Sequence, residues 1–516
     1  MSSNHKQPRS NRFRWLKWVA SGVVVVCLLI ALFYVVENRR GKREWLQTKT
    51  ELEAMGISFD WADYVPQPIA DEHNFAATPA IAYFQYEADD PNHKPWNEAW
   101  GDEAHLDDIF AMKEGGPHGS ASILLDGAQA WHESRFEPNE KRRQQLRKDG
   151  LPIVPDGVDP WQQLESLIAP HQQLLQELRD AAQERSQSYI HGDYASNPMA
   201  ALSPDFRAVR QYMQLLFADA LLAIQSGDKQ TALQNAYCIK RMGNLSPNFL
   251  TLVNHMIGVV FSKFEITIYQ LALQQGLLDE TELKRLIEES LQPHPLADFE
   301  RAIIYEIVAT TESFFNNLNA SMFFLSTLMD PTLWDKTIDV LWRRLINAMP
   351  EGWYYQMASR YARYTLLILE PYQTESRKLQ LDILKKNQKI LDQIYADFNF
   401  FELLAAIALP GFERIINHTL MSQCQQDMLG IACALELYKL ANDDLPVSLD
   451  LLQPDFIPEL RNDPVNGEAY RYERIDNHRY RLWGVGMNGV DDGGVIDAAA
   501  DDHDQPDIVW ALFGKI

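Results

Sequence analysis

The chain reads as a mainly α protein. It has an N-terminal transmembrane helix, an irregular, solenoid-like helical domain, and a C-terminal α+β domain in which a long helix precedes a small antiparallel sheet. Three observations predict this. Residues 19–36, VASGVVVVCLLIALFYVV, run for eighteen positions without a charge. From 159 to 399 apolar residues recur at helical spacing, with few strand-like alternations. From 412 onward one apolar stripe of helical period is followed by DPVNGEAYRYERIDNHRYRLWGVG, which alternates in the manner of paired strands.

With 516 residues the chain exceeds what one hydrophobic core can organise, and two or three globular units are expected. A hydrophobic content of 46% with 11% aromatics excludes a disordered chain. Forty-seven basic against seventy-one acidic residues give a net charge of −24, which repels polyphosphate and argues against nucleic-acid binding. Cys27 lies in the apolar run; Cys238, Cys424 and Cys433 are an odd set without CxxC spacing, so neither a disulfide framework nor a zinc site is expected.

The uncharged run is long enough to span a bilayer, with Trp15 and Trp18 before it and Tyr34 near its end. It closes on Glu37-Asn38-Arg39-Arg40 rather than on the small residues of a cleavage site, which predicts a retained anchor. Lys6, Arg9, Arg12, Arg14 and Lys17 precede the span, and Arg39, Arg40, Lys42 and Arg43 follow it. The excess of one base predicts that residues 1–18 are cytoplasmic and that the bulk of the chain is exported.

Residues 37–150 are rich in Pro, Gly, Asp and His and read as loops and short helices packed on a neighbour. The pattern PxPxxDExNFxxxP, from Pro66 to Pro79, resembles the membrane-proximal part of a family of uncharacterised bacterial single-pass proteins. Within the helical domain, 151–400, two helices are expected to meet at Ser226-Gly227-Asp228. That pair resembles a tetratricopeptide-like hairpin, with Gly227, Ala232, Leu233 and Ala236 at its small and apolar packing positions. A second turn at Gly276 leads to Asp279 and Glu282, at capping-box spacing.

Catalytic motifs are sparse. Ser226 and Lys229 match S-x-x-K, but in an interhelical turn and without the partner motifs of a serine acyl-enzyme site. The one GxGxxG, Gly484 to Gly489, does not open a helix. His105 with Asp107 and Asp108, and His132 with Glu133, have acid–base residue types but read equally as solvated loop clusters. Trp334, Trp342, Trp353, Tyr354 and Tyr355, near Arg343, Arg344 and Arg360, suit either packing between helices or a membrane interface.

In the C-terminal part, 401–516, a helix is expected from Phe412 to Ala441, started at Pro410-Gly411 and stopped by Asn442-Asp443-Asp444 and Pro446. A hairpin follows, with Tyr470 and Tyr472 set against Tyr480 and Leu482 across a turn near Asp476-Asn477. The order of long helix, LPVSLDLL, DPxxGxxYRY and a second strand ending in glycines resembles the head of the major pseudopilin of type II secretion systems. Tyr438, Pro446, Asp463, Pro464, Gly467, Tyr470, Tyr472, Gly486, Gly489, Gly493, Gly494, Asp507, Ile508 and Trp510 carry the match. No G-F-[TS]-x-x-E processing site precedes the anchor, which counts against a pilus subunit, and what the residues allow is a pseudopilin-like head borrowed by a membrane-anchored protein of the bacterial inner membrane.

Asp491, Asp492, Asp497, Asp501, Asp502, Asp504 and Asp507 crowd between Trp483 and Trp510, followed by apolar residues that must be buried. All-oxygen ligands suit a hard cation, and the resemblance implies calcium in the corresponding loop. Asp492, Asp501, Asp502, Asp504 and Asp507 are the candidate ligands. The alternative is an acidic surface loop without a metal. Three functions compete: a noncatalytic, membrane-anchored extracytoplasmic interaction protein with protein partners; an exported hydrolase, which would need two carboxylates and a histidine in one deep pocket; and an accessory part of a secretion or pilus-like apparatus.

Overall fold

The computed structural model describes residues 12–65, 67–82, 160–190, 206–245, 251–292, 295–316, 348–373, 378–396, 400–495 and 506–512. Its helices are α1 (Arg12–Ala54), α2 (Pro160–Ile168), α3 (Gln172–Glu184), α4 (Phe206–Ser226), α5 (Lys229–Gly243) and α6 (Leu252–Gln274). They continue with α7 (Glu280–Ser290), α8 (Pro295–Asn316), α9 (Glu351–Leu369), α10 (Leu381–Ala396) and α11 (Leu403–Asn442). Strands β1 (Tyr372–Gln373) and β2 (Lys378–Leu379) form one small ladder; β3 (Arg471–Arg474), β4 (Tyr480–Val485) and β5 (Asp507–Leu512) form an antiparallel sheet in the order β3-β4-β5. The fold is therefore mainly helical with a small sheet near the C-terminus, as the periodicities predict. Contacts divide the chain into two units: Met1–Phe59 with Ile307–Leu366 and Leu391–Leu409, and Asp60–Glu306 with Leu367–Ile390 and Pro410–Ile516.

The first unit is built on α1. This helix runs unbroken for 43 residues because it contains no proline and only two glycines. Residues 19–36 are exposed at every position except Tyr34. Beyond them Gly41, Trp45, Thr48 and Leu52 recur at spacings of four and three and are buried. The first turn of α9 lies against α1 where Gly41 meets Gly352: a Cβ on either glycine would overlap the other helix's backbone. Around this contact Asn38 Oδ1 accepts from Gly352 N at 2.9 Å, and Glu37 Oε2 accepts from Trp353 Nε1 at 3.1 Å and Gln356 Nε2 at 3.2 Å. Trp353 also stands edge-on to Phe33 and Phe401, and Tyr354 is buried. These two rings thus pack between helices; Trp334, Trp342, Arg343 and Arg344 lie outside the described residues.

In the second unit, residues 61–82 are short 3₁₀ turns and a single helical turn, pinned by Asn74. Its buried side chain donates to Tyr189 O at 2.8 Å and accepts from Tyr189 N at 2.8 Å. Helices α4 and α5 form the expected hairpin. Gly227 takes φ +76°, the left-handed region open to glycine, and Asp228 caps α5 through Thr231 N. Ala232 and Ala236 are fully buried. Asp279 and Glu282 form the capping box that starts α7. Lys229 pairs with Asp279 at 2.6 Å and Glu282 at 2.9 Å, so the lysine of the S-x-x-K match ties the two turns together. A buried Arg179–Asp219–Asn235 network joins α3, α4 and α5.

Helix α6 is long and apolar enough to cross a membrane, but 56% of that window is buried inside the unit, and His255, Glu265, Gln270 and Gln274 are buried on it. It is a core helix. Helix α11 ends at Asn442, with Asp443 at φ +56°, as the stop signals predict, but it starts at Leu403 instead of Pro410-Gly411. Pro410 removes one N–H donor, a loss that the helix accepts on continuing; the boundary between the two contact units falls at Leu409 and Pro410. In the sheet Tyr472 pairs with Leu482 and Leu482 with Trp510; Tyr480, Leu482 and Trp510 form the buried face.

Candidate functional site

The acidic stretch is folded at both described ends. Strand β5 pairs along β4 from Val485–Asp507 to Tyr480–Leu512, which buries Ile508 and Trp510 and fixes the carboxylate of Asp507, itself 1% exposed. Asp507 Oδ2 accepts from Gly494 N at 2.8 Å and Asp492 N at 3.1 Å. Burial nevertheless raises its pKa, and Asp491 and Asp492 add to the effect. Asp491 Oδ1 takes the Trp483 indole N–H and Gly493 N, both at 3.0 Å, and its Oδ2 pairs with Arg471 Nε at 3.0 Å. These bonds hold its pKa below the usual range, the indole contributing most. Gly493 and Gly494 turn the chain with φ of +83° and +69°.

The described aspartates therefore shape a turn by accepting backbone N–H groups. Asp492 Oδ2 takes Asn488 Nδ2 at 3.1 Å. Of the five candidate ligands, the structure brings the backbone of Asp492 to the carboxylate of Asp507; Asp501, Asp502 and Asp504 lie outside the described residues. The donor type, all oxygen, fits calcium. Both oxygens of Asp507 already face backbone donors, Oδ2 two of them and Oδ1 a share of the Asp492 N–H at 3.3 Å. Among the described residues no three His, Cys, Asp or Glu side chains gather as a metal group. His105, Asp107, Asp108, His132 and Glu133 also lie outside the described residues. The four cysteines are free, three of them buried.

A second site carries no motif in the sequence. A cleft of about 250 Å³ in the second unit is lined from α5 by Lys240, from α6 by His255 and Glu265, from α8 by Asp298 and from α11 by Ser422 and Gln426. Ile190, Val209 and Ile257 supply apolar wall. Close approach of α5 and α6 is set by Gly243, where a Cβ would stand 2.8 Å from Phe261 Cβ.

Glu265 is 7% exposed, and its ion pair with Lys240 spans 3.7 Å, longer than a hydrogen bond. Burial pushes its pKa up to about 7 in spite of that lysine. Lys240 pairs more closely with Glu289, at 2.7 Å. Burial works against the lysine's charge, but Glu265 and Glu289 outweigh it and raise its pKa. His255 Nε2 lies 2.8 Å from Thr419 Oγ1, whose own proton goes to Ile415 O at 2.8 Å. The hydroxyl can then only accept from the ring, which makes His255 the Nε2–H tautomer. Burial pulls its pKa down to about 4, so the ring is neutral at pH 7. Asp298 stands half-exposed at the rim beside Arg301, at 3.5 Å. Ser422 Oγ and Gln426 Oε1 are buried without a hydrogen-bond partner.

The cleft collects the residue types named for a hydrolase, two carboxylates and a histidine, from two helices, α6 and α8. The one sequence signal that pointed to it is a carboxylate in the middle of an apolar helix, Glu265 in α6. No family model, curated protein or solved structure matches the chain.

Proposed function

We propose that the chain is a membrane-anchored extracytoplasmic interaction protein, held in a bacterial inner membrane by residues 19–36 with residues 1–18 in the cytoplasm. The observation that carries the reading is the exposure of that apolar run, at every position but Tyr34, on a helix whose continuation is buried at Gly41, Trp45, Thr48 and Leu52. One helix thus has a surface suited to lipid and a surface committed to protein. Tryptophans at positions 15 and 18, both strongly exposed, suit the headgroup level. In this reading the helical body is solenoid-like and the C-terminal domain a pseudopilin-like head whose acidic loop closes on calcium; both present surfaces to protein partners. A reporter enzyme active only in the cytoplasm, fused after Ile516, is expected to be silent. Strong reporter activity overturns the topology.

One observation favours a second reading, an exported hydrolase: Glu265, Asp298 and His255 share a cleft, and Glu265 binds its proton near neutral pH. In that reading Glu265 is the general acid–base, since His255 spends Nε2 on Thr419. Turnover of ester, amide or glycoside substrates by the full chain, abolished in Glu265→Gln, is the outcome that reading requires.

A further inference from the structure

The cleft has an imbalance of hydrogen-bonding groups. Gln426 Oε1 is an acceptor with no donor, Ser422 Oγ is buried and unpartnered on a residue 3% exposed, and the Glu265 carboxylate receives no hydrogen bond from Lys240 at 3.7 Å. All three line the same cavity, and Glu265 and Gln426 also line a smaller pocket of about 20 Å³ beside it. A buried acceptor left without a donor is costly, and a buried carboxylate more so. The cation that would ordinarily answer it, Lys240, is drawn to Glu289, which also pairs with Arg285.

We propose that the cleft is a binding site for a primary alkylammonium group, which places its charge against Glu265 and its N–H donors on Gln426 Oε1 and Ser422 Oγ. An ammonium carries three donors and no acceptor, which complements two unpartnered oxygens and a carboxylate whose ion pair with Lys240 is stretched to 3.7 Å. The apolar wall of Ile190, Val209 and Ile257 takes the aliphatic chain. A carboxylate or phosphate would meet Glu265 and Asp298 with like charge, and a neutral alcohol would add no charge to the stretched pairing of Glu265 with Lys240. The source of the amine is either a free small amine or the lysine side chain of a peptide. The inference depends on neither the membrane topology nor hydrolysis.

The test is calorimetry on the full chain in detergent micelles at pH 8, with butylamine and with an N-acetylated, C-amidated Gly-Lys-Gly peptide as separate titrants. Butanol and butyrate serve as neutral and anionic isosteres. Saturable heat with butylamine, the peptide or both, and none with the isosteres, is expected. Glu265→Gln, which removes a buried charge and so should fold at least as well, is expected to weaken the binding about tenfold or more. Ser422→Ala is expected to weaken it less. Absence of heat with both amines at 10-fold above millimolar protein, or amine binding that survives Glu265→Gln unchanged, overturns the proposal. Butylamine binding without peptide binding assigns a free amine; the converse assigns a peptide lysine.

Discussion

Arg461 and Asp427 form a buried ion pair at 3.3 Å, and the same guanidinium donates to the end of α7, to Ser290 O at 2.7 Å and to the O of its C-cap, Leu291, at 2.5 Å. Tyr470 OH donates to the other oxygen of Asp427, at 3.1 Å. One arginine thus satisfies a helix C-terminus, a carboxylate of α11 and, through that carboxylate, the tyrosine that leads into β3. The sheet is fastened to the helices at this point.

Removing one partner should therefore cost far more than removing both. Arg461→Leu takes the cation away from buried Asp427, which keeps the neutral donors Gln423 Nε2 and Tyr470 OH, and is expected to lower stability by about 3 to 5 kcal/mol. The double variant Arg461→Leu with Asp427→Leu is expected to regain a large part of that. Urea midpoints for the two singles and the double decide it: an additive double variant would show that the pair is not energetically coupled.

The acidic turn makes a second prediction. Asp507→Ala deprives Asp492 N and Gly494 N of their acceptor and is expected to destabilise the start of β5 by about 1 to 3 kcal/mol. Amide exchange at Gly494 should accelerate. Melting curves of the full chain with millimolar calcium against chelator test the metal separately, since the backbone bonds persist in either case; a calcium-dependent rise is expected if the loop closes on the ion.

Two groups in the cleft should impose opposite pH slopes on stability. Glu265 has its pKa raised from 4.5 to about 7, so the stability it contributes as an acid is whole below pH 4.5 and lost as pH climbs to 7. His255 has its pKa lowered from 6.5 to about 4, so its contribution is whole above pH 6.5 and lost as pH falls toward 4. Each shift corresponds to about 3 kcal/mol. Glu265→Gln is expected to flatten the decline between pH 4.5 and 7, and His255→Gln the rise between pH 4 and 6.5. Denaturation of both variants across pH 4 to 8 checks the signs.

The junction of α1 and α9 should not tolerate a methyl group. Gly352→Ala drives a Cβ into the backbone of Glu37 and Asn38 and is expected to part the helices, releasing Trp353 from Glu37. A red shift in tryptophan emission and new protease cleavage near residue 352 are the expected readouts; wild-type behaviour of Gly352→Ala would show that the two helices do not approach so closely.

What the sequence made legible was local. Gly227 with Asp228, and Asp279 with Glu282, carry their own turn and cap chemistry, so both helix starts could be read without knowing what packs beside them. The hairpin registered because Tyr472 and Leu482 share a face at strand period. Pro410 misled because a proline argues for a helix start only where nothing else keeps the helix going. The cleft as a whole was not legible: Lys240, His255, Glu265, Asp298, Ser422 and Gln426 come from four helices, and their proximity is a property of packing. Only the carboxylate of Glu265, stranded on an apolar helix, hinted at it.

Gly41 and Gly352 also constrain how this chain can change. At most contacts a residue that grows can be accommodated when its neighbour shrinks, but here an added Cβ meets backbone on either side, that of Gly352 from Gly41 and that of Glu37 and Asn38 from Gly352, and backbone cannot shrink. Compensation within the pair is closed to either residue. Suppressors of a Gly352 substitution must instead arise where the backbones can be moved apart, at Phe33, Asn38 or Phe401, and the two glycines should be replaceable only together with a rebuilt crossing.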